Sequence, residues 1–125
     1  MLRNVVVTFH ERLIAEHGGA AGIRDEAMLA SALARPQNVM AYGKPSLFDL
    51  AACYAFGLVK NHPFIDGNKR IGFAMAVLFV ELNGARFTAS EVEVVLQTLA
   101  LAAGEFSEGS YSEWMKNNSS VGGGE

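Results

Sequence analysis

The run His62-Pro63-Phe64-Ile65-Asp66-Gly67-Asn68-Lys69-Arg70 leads directly into Ile71-Gly72-Phe73-Ala74-Met75-Ala76-Val77-Leu78-Phe79-Val80-Glu81-Leu82. The apolar part carries a single charge, Glu81, and reads as a helix from Asn68 to Leu82 stopped by Asn83-Gly84. A helix that is apolar all round is surrounded by protein. Its first turn, by contrast, is the most polar stretch of the chain. The expectation is a central helix enclosed by the others, with its N-terminus opening into a surface groove.

Outward from that helix, start signals recur. Thr8…Glu11, Ser46…Asp49, Ser90…Glu93 and Ser110…Glu113 each set a capping hydroxyl three residues before a carboxylate. They predict helices over Phe9–Glu16, Leu47–Lys60, Glu91–Ala103 and Tyr111–Lys116. Another is expected from Asp25 to Ala34, ending before Pro36. On the Glu91–Ala103 helix, Val92, Val95, Leu96 and Leu99 read as the inward face. Strand signals are few: Val5–Val7, a pairing element around Asn38–Tyr42, and Arg86–Thr88. The reading is a mostly α single domain over residues 1–116 with minor β elements, and a disordered Gly-rich tail over 117–125.

Composition excludes several classes. A net charge of −3 gives no global attraction for nucleic acid or an anionic membrane. The longest apolar block, Ile71 to Val80, is about half the length of a membrane span, and Val5–Val7 near the N-terminus is too short for a signal-peptide core. The lone Cys53, in an apolar run, excludes an internal disulfide framework and reads as core filler, which fits a reducing, cytoplasmic setting. Three scattered histidines and one cysteine do not make a zinc site. His10 and His17 read as structural, and Trp114 and Met115 as core.

The chemistry therefore lies in the polar run. Free N–H groups at a helix start bind phosphate or carboxylate. Gly67 admits close approach of a ligand, Asn68 fits the N-cap, and Lys69 and Arg70 add full charges beside them. Together they read as a nest for a polyphosphate. Asp66 would repel phosphate on its own, and makes sense with magnesium between carboxylate and phosphates. His62 suits a general base toward an attacking hydroxyl. Two weaker candidates flank the run. Met40, Tyr42 and Gly43 read as a loop or a flap over the site. Lys60 and Asn61 read as an electropositive rim or as solvated.

The run His62–Arg70 resembles the signature loop of the Fic/Doc superfamily, most nearly its death-on-curing branch, whose loop reads H-x-F-x-D-[A/G]-N-K-R. Leu13–Gly19, Arg35-Pro36-Gln37, Asp49–Ala52 and Leu78–Gly84 resemble that branch too. Lys69 stands where adenylyl-transferring members carry a second glycine, and Phe73 where they carry a final arginine. In the death-on-curing branch that lysine goes with an inverted nucleotide, whose γ-phosphate faces the acceptor. The resemblance thus implies an ATP- and magnesium-dependent protein kinase toxin. Its family-type target is a threonine of elongation factor Tu, and a cognate antitoxin holds it inactive. His62 would be the general base, Asp66 the magnesium partner, Gly67, Asn68 and Lys69 the anion nest, and Arg70 the phosphate clamp. Adenylyl transfer, and a non-catalytic binding module acting as co-repressor, stand as the alternatives.

Overall fold

The structure is a computed structural model and describes residues 3–121. In chain order its elements are α1 (Arg3–His17), α2 (Glu26–Tyr42), α3 (Leu47–Asn61), α4 (Asn68–Leu82), β1 (Ala85–Phe87), α5 (Glu91–Ala103), α6 (Glu108–Asn117) and β2 (Ser119–Val121). The mostly α expectation holds.

α3 and α4 form the spine, with a hydrophobic cluster on each side. One cluster joins them to α1 and α2 through Val6, Leu29, Ala32, Tyr54, Leu58, Ile71 and Met75. The other joins them to β1, α5 and α6 through Ala55, Ala76, Val80, Ala85, Leu101, Tyr111 and Met115. Two glycines permit the close approaches. A Cβ on Gly72 would stand 2.8 Å from Val59 Cγ2 and 3.1 Å from the Ala55 carbonyl oxygen. One on Gly57 would stand 3.2 Å from the Ala32 Cα and Cβ.

Polar ties fix the outer helices. Ser46 and Asp49 form the full capping box that the sequence predicts for α3. Ser112 Oγ then donates to Asp49 Oδ1 at 2.6 Å, joining α6 to α3. Those bonds to Ser112 and Ser46 hold the Asp49 carboxyl below its usual range. Trp114 Nε1 donates to Glu93 Oε1 at 2.8 Å, joining α6 to α5. Tyr111 is buried with its hydroxyl 3.0 Å from Thr98 Oγ1, and burial pushes its pKa up to about 12. Trp114 and Met115 are core, as expected.

Several expectations need correction. Val5–Val7 is not a strand: α1 begins at Arg3 and passes through Thr8, which caps nothing. Val6 and His10, four residues apart on one helical face, are both buried, and the penalty for β-branched residues in a helix is only a few tenths of a kcal/mol. α2 does not end before Pro36 but runs to Tyr42, absorbing the segment expected to pair at Asn38–Tyr42. A proline inside a helix costs about 3 kcal/mol, and burial of Pro36 with Leu29, Ala32 and Leu33 offsets it. α6 starts earlier, capped by Ser107 rather than Ser110. The tail expectation also changes. Asn117 closes α6, and residues 119–121 form β2, antiparallel to β1 in the register Ala85↔Val121, Arg86↔Ser120, Phe87↔Ser119. Residues 122–125 lie outside the described residues.

The largest correction concerns α5. Val92, Val95, Leu96 and Leu99 are not inward but 47–70 % exposed, and the helix buries Thr98 and Leu101 instead. No helix among the described residues is long and apolar enough to cross a membrane.

Two measurements test the spine. Gly72→Val forces overlap with Val59 and Ala55, so it is expected to cost about 1–3 kcal/mol in urea unfolding, as core overpacking does. Cys53 is fully buried and its pKa is pushed up to about 11, chiefly by burial. It is expected to resist thiol reagents at neutral pH and to react only at the rate of unfolding.

Candidate active site

The loop from His62 to Gly67 joins α3 to α4, and three side chains distant in sequence or in the next turn shape it. His62 follows α3 with φ 53° and ψ 52°, the only non-glycine residue with positive φ among those described. That conformation costs about 1 kcal/mol for a residue with a Cβ. Arg24 holds it: its Nε donates to the His62 carbonyl at 2.6 Å and its Nη2 to the Asn61 carbonyl at 3.0 Å. The Arg24 and Asp25 backbone N–H groups both donate to the Pro63 carbonyl, at 2.7 and 3.0 Å, and Ile65 N–H donates to Gly22 at 3.1 Å. The segment before α2 therefore runs alongside the loop like a short strand.

From the other side, α1 supplies His10, 1 % exposed. Its ring stacks on Phe64 with centroids 3.8 Å apart and planes 10° from parallel. Its Nε2 stands 2.7 Å from the Asp66 carbonyl, which can only accept, so the imidazole donates. Gly67 follows at φ 77°, and a Cβ there would crowd Ile14 Cδ1 at 3.3 Å and His10 Nε2 at 3.5 Å. Asp66 Oδ2 accepts from the Ala20 N–H at 2.8 Å.

Asn68 is where sequence and structure differ on a site residue. It was expected as the N-cap, but Gly67 holds that position and no side chain caps α4. The Asn68 side chain instead turns back into the loop, 4 % exposed. Its Oδ1 accepts from Phe64 N–H at 2.9 Å, and its Nδ2 donates to the Phe64 carbonyl at 2.9 Å and meets His62 Nδ1 at 3.0 Å.

The helices α2, α3, α5 and α6 each have a capping Asp or Ser. The start of α4 is bare, and Lys69 and Arg70 stand exposed beside it with no hydrogen bond or ion pair among the described residues. Uncapped N–H groups with two free cations form a concentrated positive locus in a chain of net charge −3.

These groups line one groove of about 780 Å³. His62, Asp66, Gly67, Asn68, Lys69 and Arg70 form its polar end. Phe73 and Val77 of α4, Phe87 of β1, and Val94, Val95 and Leu99 of α5 form an apolar wall, with His17 and Glu91 at the margins. All six loop and helix-start candidates thus converge. The two flanking candidates do not. Met40, Tyr42 and Gly43 lie in or just after the last turn of α2 and do not line the groove. Lys60 donates to the Ala102 carbonyl at 3.1 Å near the end of α5, and Asn61 donates to the Met28 carbonyl at 2.9 Å. Both are helix-to-helix ties rather than a rim.

Sequence reasoning missed Arg24, His10 as a loop support, and the α5 wall. Arg24 has no local signal. The α5 wall had one: Leu101 already completes an apolar face there, so Val92, Val95, Leu96 and Leu99 exceed what one buried face needs. Among the described residues no group of three or more His, Cys, Asp or Glu is placed to hold a metal by itself.

The signature loop on this fold defines a class. Residues 2–80 match the Fic/DOC family, and the chain belongs to it. The chain is also similar to Toxin Doc of Mycolicibacterium smegmatis (strain ATCC 700084 / mc(2)155), 42 % identical over 75 residues. That match covers 58 % of this chain and spans 57 % of the relative's length.

His10→Ala would remove the ring under Phe64 and leave the Asp66 carbonyl unpaired. It is expected to destabilise the protein by about 2–4 kcal/mol, and to speed amide exchange at Ile65, within the loop, more than in α6. Urea unfolding and hydrogen exchange read both.

Proposed function

We propose that the protein is a death-on-curing-type toxin, a kinase that moves the γ-phosphate of ATP to a hydroxyl of a translation factor such as elongation factor Tu. The observation that carries this reading is the bare start of α4 with Lys69 and Arg70 unpaired beside it, in one groove with His62. Phosphoryl transfer asks a protein mainly for positioning and charge neutralisation, and those are the resources gathered here.

Each residue has a task. The N–H groups opened by Gly67, with Lys69, receive phosphate oxygens. Arg70 adds a fork able to grip two oxygens at once. Asp66, with Oδ2 fixed by Ala20 and Oδ1 free of hydrogen bonds among the described residues, suits magnesium, which takes one or two carboxylates plus phosphate oxygens. Such an ion would neutralise the phosphates' charge. His62, in the same groove, is the side chain that meets the reacting atoms.

Lys69 and Phe73 support phosphoryl over adenylyl transfer. The lysine occupies room that a glycine leaves for nucleotide phosphates. Phe73 joins the apolar wall where adenylyl-transferring relatives carry a phosphate-binding arginine. The antitoxin belongs to the same proposal. The exposed Val92, Val95, Leu96 and Leu99 give α5 an apolar face that a partner segment would cover beside the loop. A translation-factor substrate fits a cytoplasmic activity.

Incubation with elongation factor Tu and ATP labelled at either the α or the γ position tests the reading. Transfer of the γ label alone is expected, and transfer of the α label would replace it with adenylyl transfer. Asp66→Asn and Lys69→Ala are each expected to lower the rate at least ~100-fold, as lost electrostatic stabilisers do. Near-normal turnover in either variant would show that residue's task to be misassigned.

A further inference from the structure

His62 closes α3 as its C-cap residue, with its backbone at φ 53° and ψ 52°. A left-handed residue at the end of a helix is ordinarily glycine, because a Cβ is crowded there. Glycine would suit the backbone here but would remove the imidazole that lines the groove. One residue must therefore combine a left-handed backbone with a side chain. The carbonyls at the end of α3 also lack partners within the helix. Arg24, exposed on the segment before α2, meets both needs with one guanidinium. Its Nε donates to the His62 carbonyl at 2.6 Å and its Nη2 to the Asn61 carbonyl at 3.0 Å. Its charge also suits a helix C-terminus.

We infer that Arg24 is a positioning residue for the acceptor side of the reaction: by holding the two peptide planes that flank the His62 Cα, it sets the direction in which the imidazole leaves the backbone. The Asn61 carbonyl lies in the plane before that Cα and the His62 carbonyl in the plane after it, so φ and ψ of His62 are fixed together while both bonds hold. The Pro63 carbonyl, met by the N–H groups of Arg24 and Asp25 at 2.7 and 3.0 Å, continues the same seam. The phosphate end of the loop has separate anchors. Asn68 holds Phe64 through two bonds of 2.9 Å, His10 holds the Asp66 carbonyl at 2.7 Å, and Gly67, without a Cβ, takes φ 77° unaided. None of these anchors involves Arg24. The two ends of the loop are therefore set independently: Arg24 governs where the imidazole stands, not whether Gly67, Lys69 and Arg70 receive phosphate oxygens.

What the imidazole does there rests on the phosphoryl-transfer reading; its placement by Arg24 does not. In that reaction His62 takes the acceptor hydroxyl's proton as the oxygen bonds to the terminal phosphorus. The bond from that phosphorus to its bridging oxygen breaks, and the nucleoside diphosphate leaves with the electron pair. A base must stand within hydrogen-bond reach of the hydroxyl, and a misplacement of about 1 Å can cost ~100-fold in rate. Loss of Arg24 therefore acts on kcat.

Arg24→Met in the full chain removes the fork, and two readings test the result. Affinity for ATP with magnesium, measured without acceptor, is expected to stay at the parent value while kcat for γ-phosphate transfer to elongation factor Tu falls ~100-fold. A parallel loss of ATP affinity, or an unchanged kcat, overturns the inference. The second reading needs neither ATP nor acceptor. Positive φ brings a residue's own N–H and Hα together, so proton NMR of the parent is expected to show a strong intraresidue cross-peak at His62 that weakens in Arg24→Met. A cross-peak that is weak in the parent, or unchanged in the variant, overturns the inference. Absence of transfer by the parent, with the cross-peak weakened in the variant, overturns the phosphoryl-transfer reading and upholds the placement. Arg24→Lys keeps the charge without the fork and is expected to recover both readings only in part; full recovery overturns the grip on two carbonyls. If Arg24→Met does not fold, Arg24→Lys decides by the same readings.

Discussion

The carboxamide of Asn68 closes the turn between α3 and α4, and the polar groups of the site, from His62 to Arg70, are strung along that turn. Its two bonds to Phe64 pin the middle of the loop to the first turn of the following helix. His62 lies on one side of that pin, Asp66 and Gly67 lie within the turn, and Lys69 and Arg70 follow it. Two further supports act on what remains. His10 fixes the Asp66 carbonyl and the Phe64 ring from α1, and Arg24 fixes the carbonyls of Asn61 and His62 from the segment before α2. A loop whose backbone is bonded from three directions holds its charged side chains still without needing contacts among them. Lys69 and Arg70 are free to bind because the loop does not depend on them.

The spine beneath that turn explains where the groove runs. Gly72 lets α4 approach α3 closely, which centres α4 and leaves Phe73 and Val77 on the side away from the contact. β1 and α5 complete that side. β1 is only three residues long and gains a partner from β2, so the end of the described chain helps to hold Phe87 in the wall. Cross-strand pairing of this kind contributes a few tenths to 1 kcal/mol per pair.

The parts of the molecule legible in the sequence are those governed by local rules. α3, α4 and α5 were readable to within a residue because their capping hydroxyls, apolar spacing and stop signals lie within the helix or beside it. The convergence of His62, Asp66, Gly67, Asn68, Lys69 and Arg70 was readable because they share one loop and one helical turn. What local rules could not decide was set by distant partners. Val5–Val7 is helical because Val6 has a core to enter, and α2 continues through Pro36 because that proline is buried. Asn68 missed its expected cap position because its side chain found a better set of partners behind it, in Phe64 and His62. The outward face of α5 reads as a core face when its stripe is taken alone, and only the second apolar face marked by Leu101 shows that one of the two must lie outward.

The bare start of α4 has a thermodynamic side. A side-chain cap is worth about 1 kcal/mol to a helix, and this helix, the most central one, goes without. An anion seated on those N–H groups would supply the missing bonds, and anything that binds the folded chain but not the unfolded one stabilises it, increasingly as its concentration exceeds Kd. Occupancy and resistance to unfolding would therefore rise together in this molecule: an anion bound at that helix start would also act as a folding cofactor.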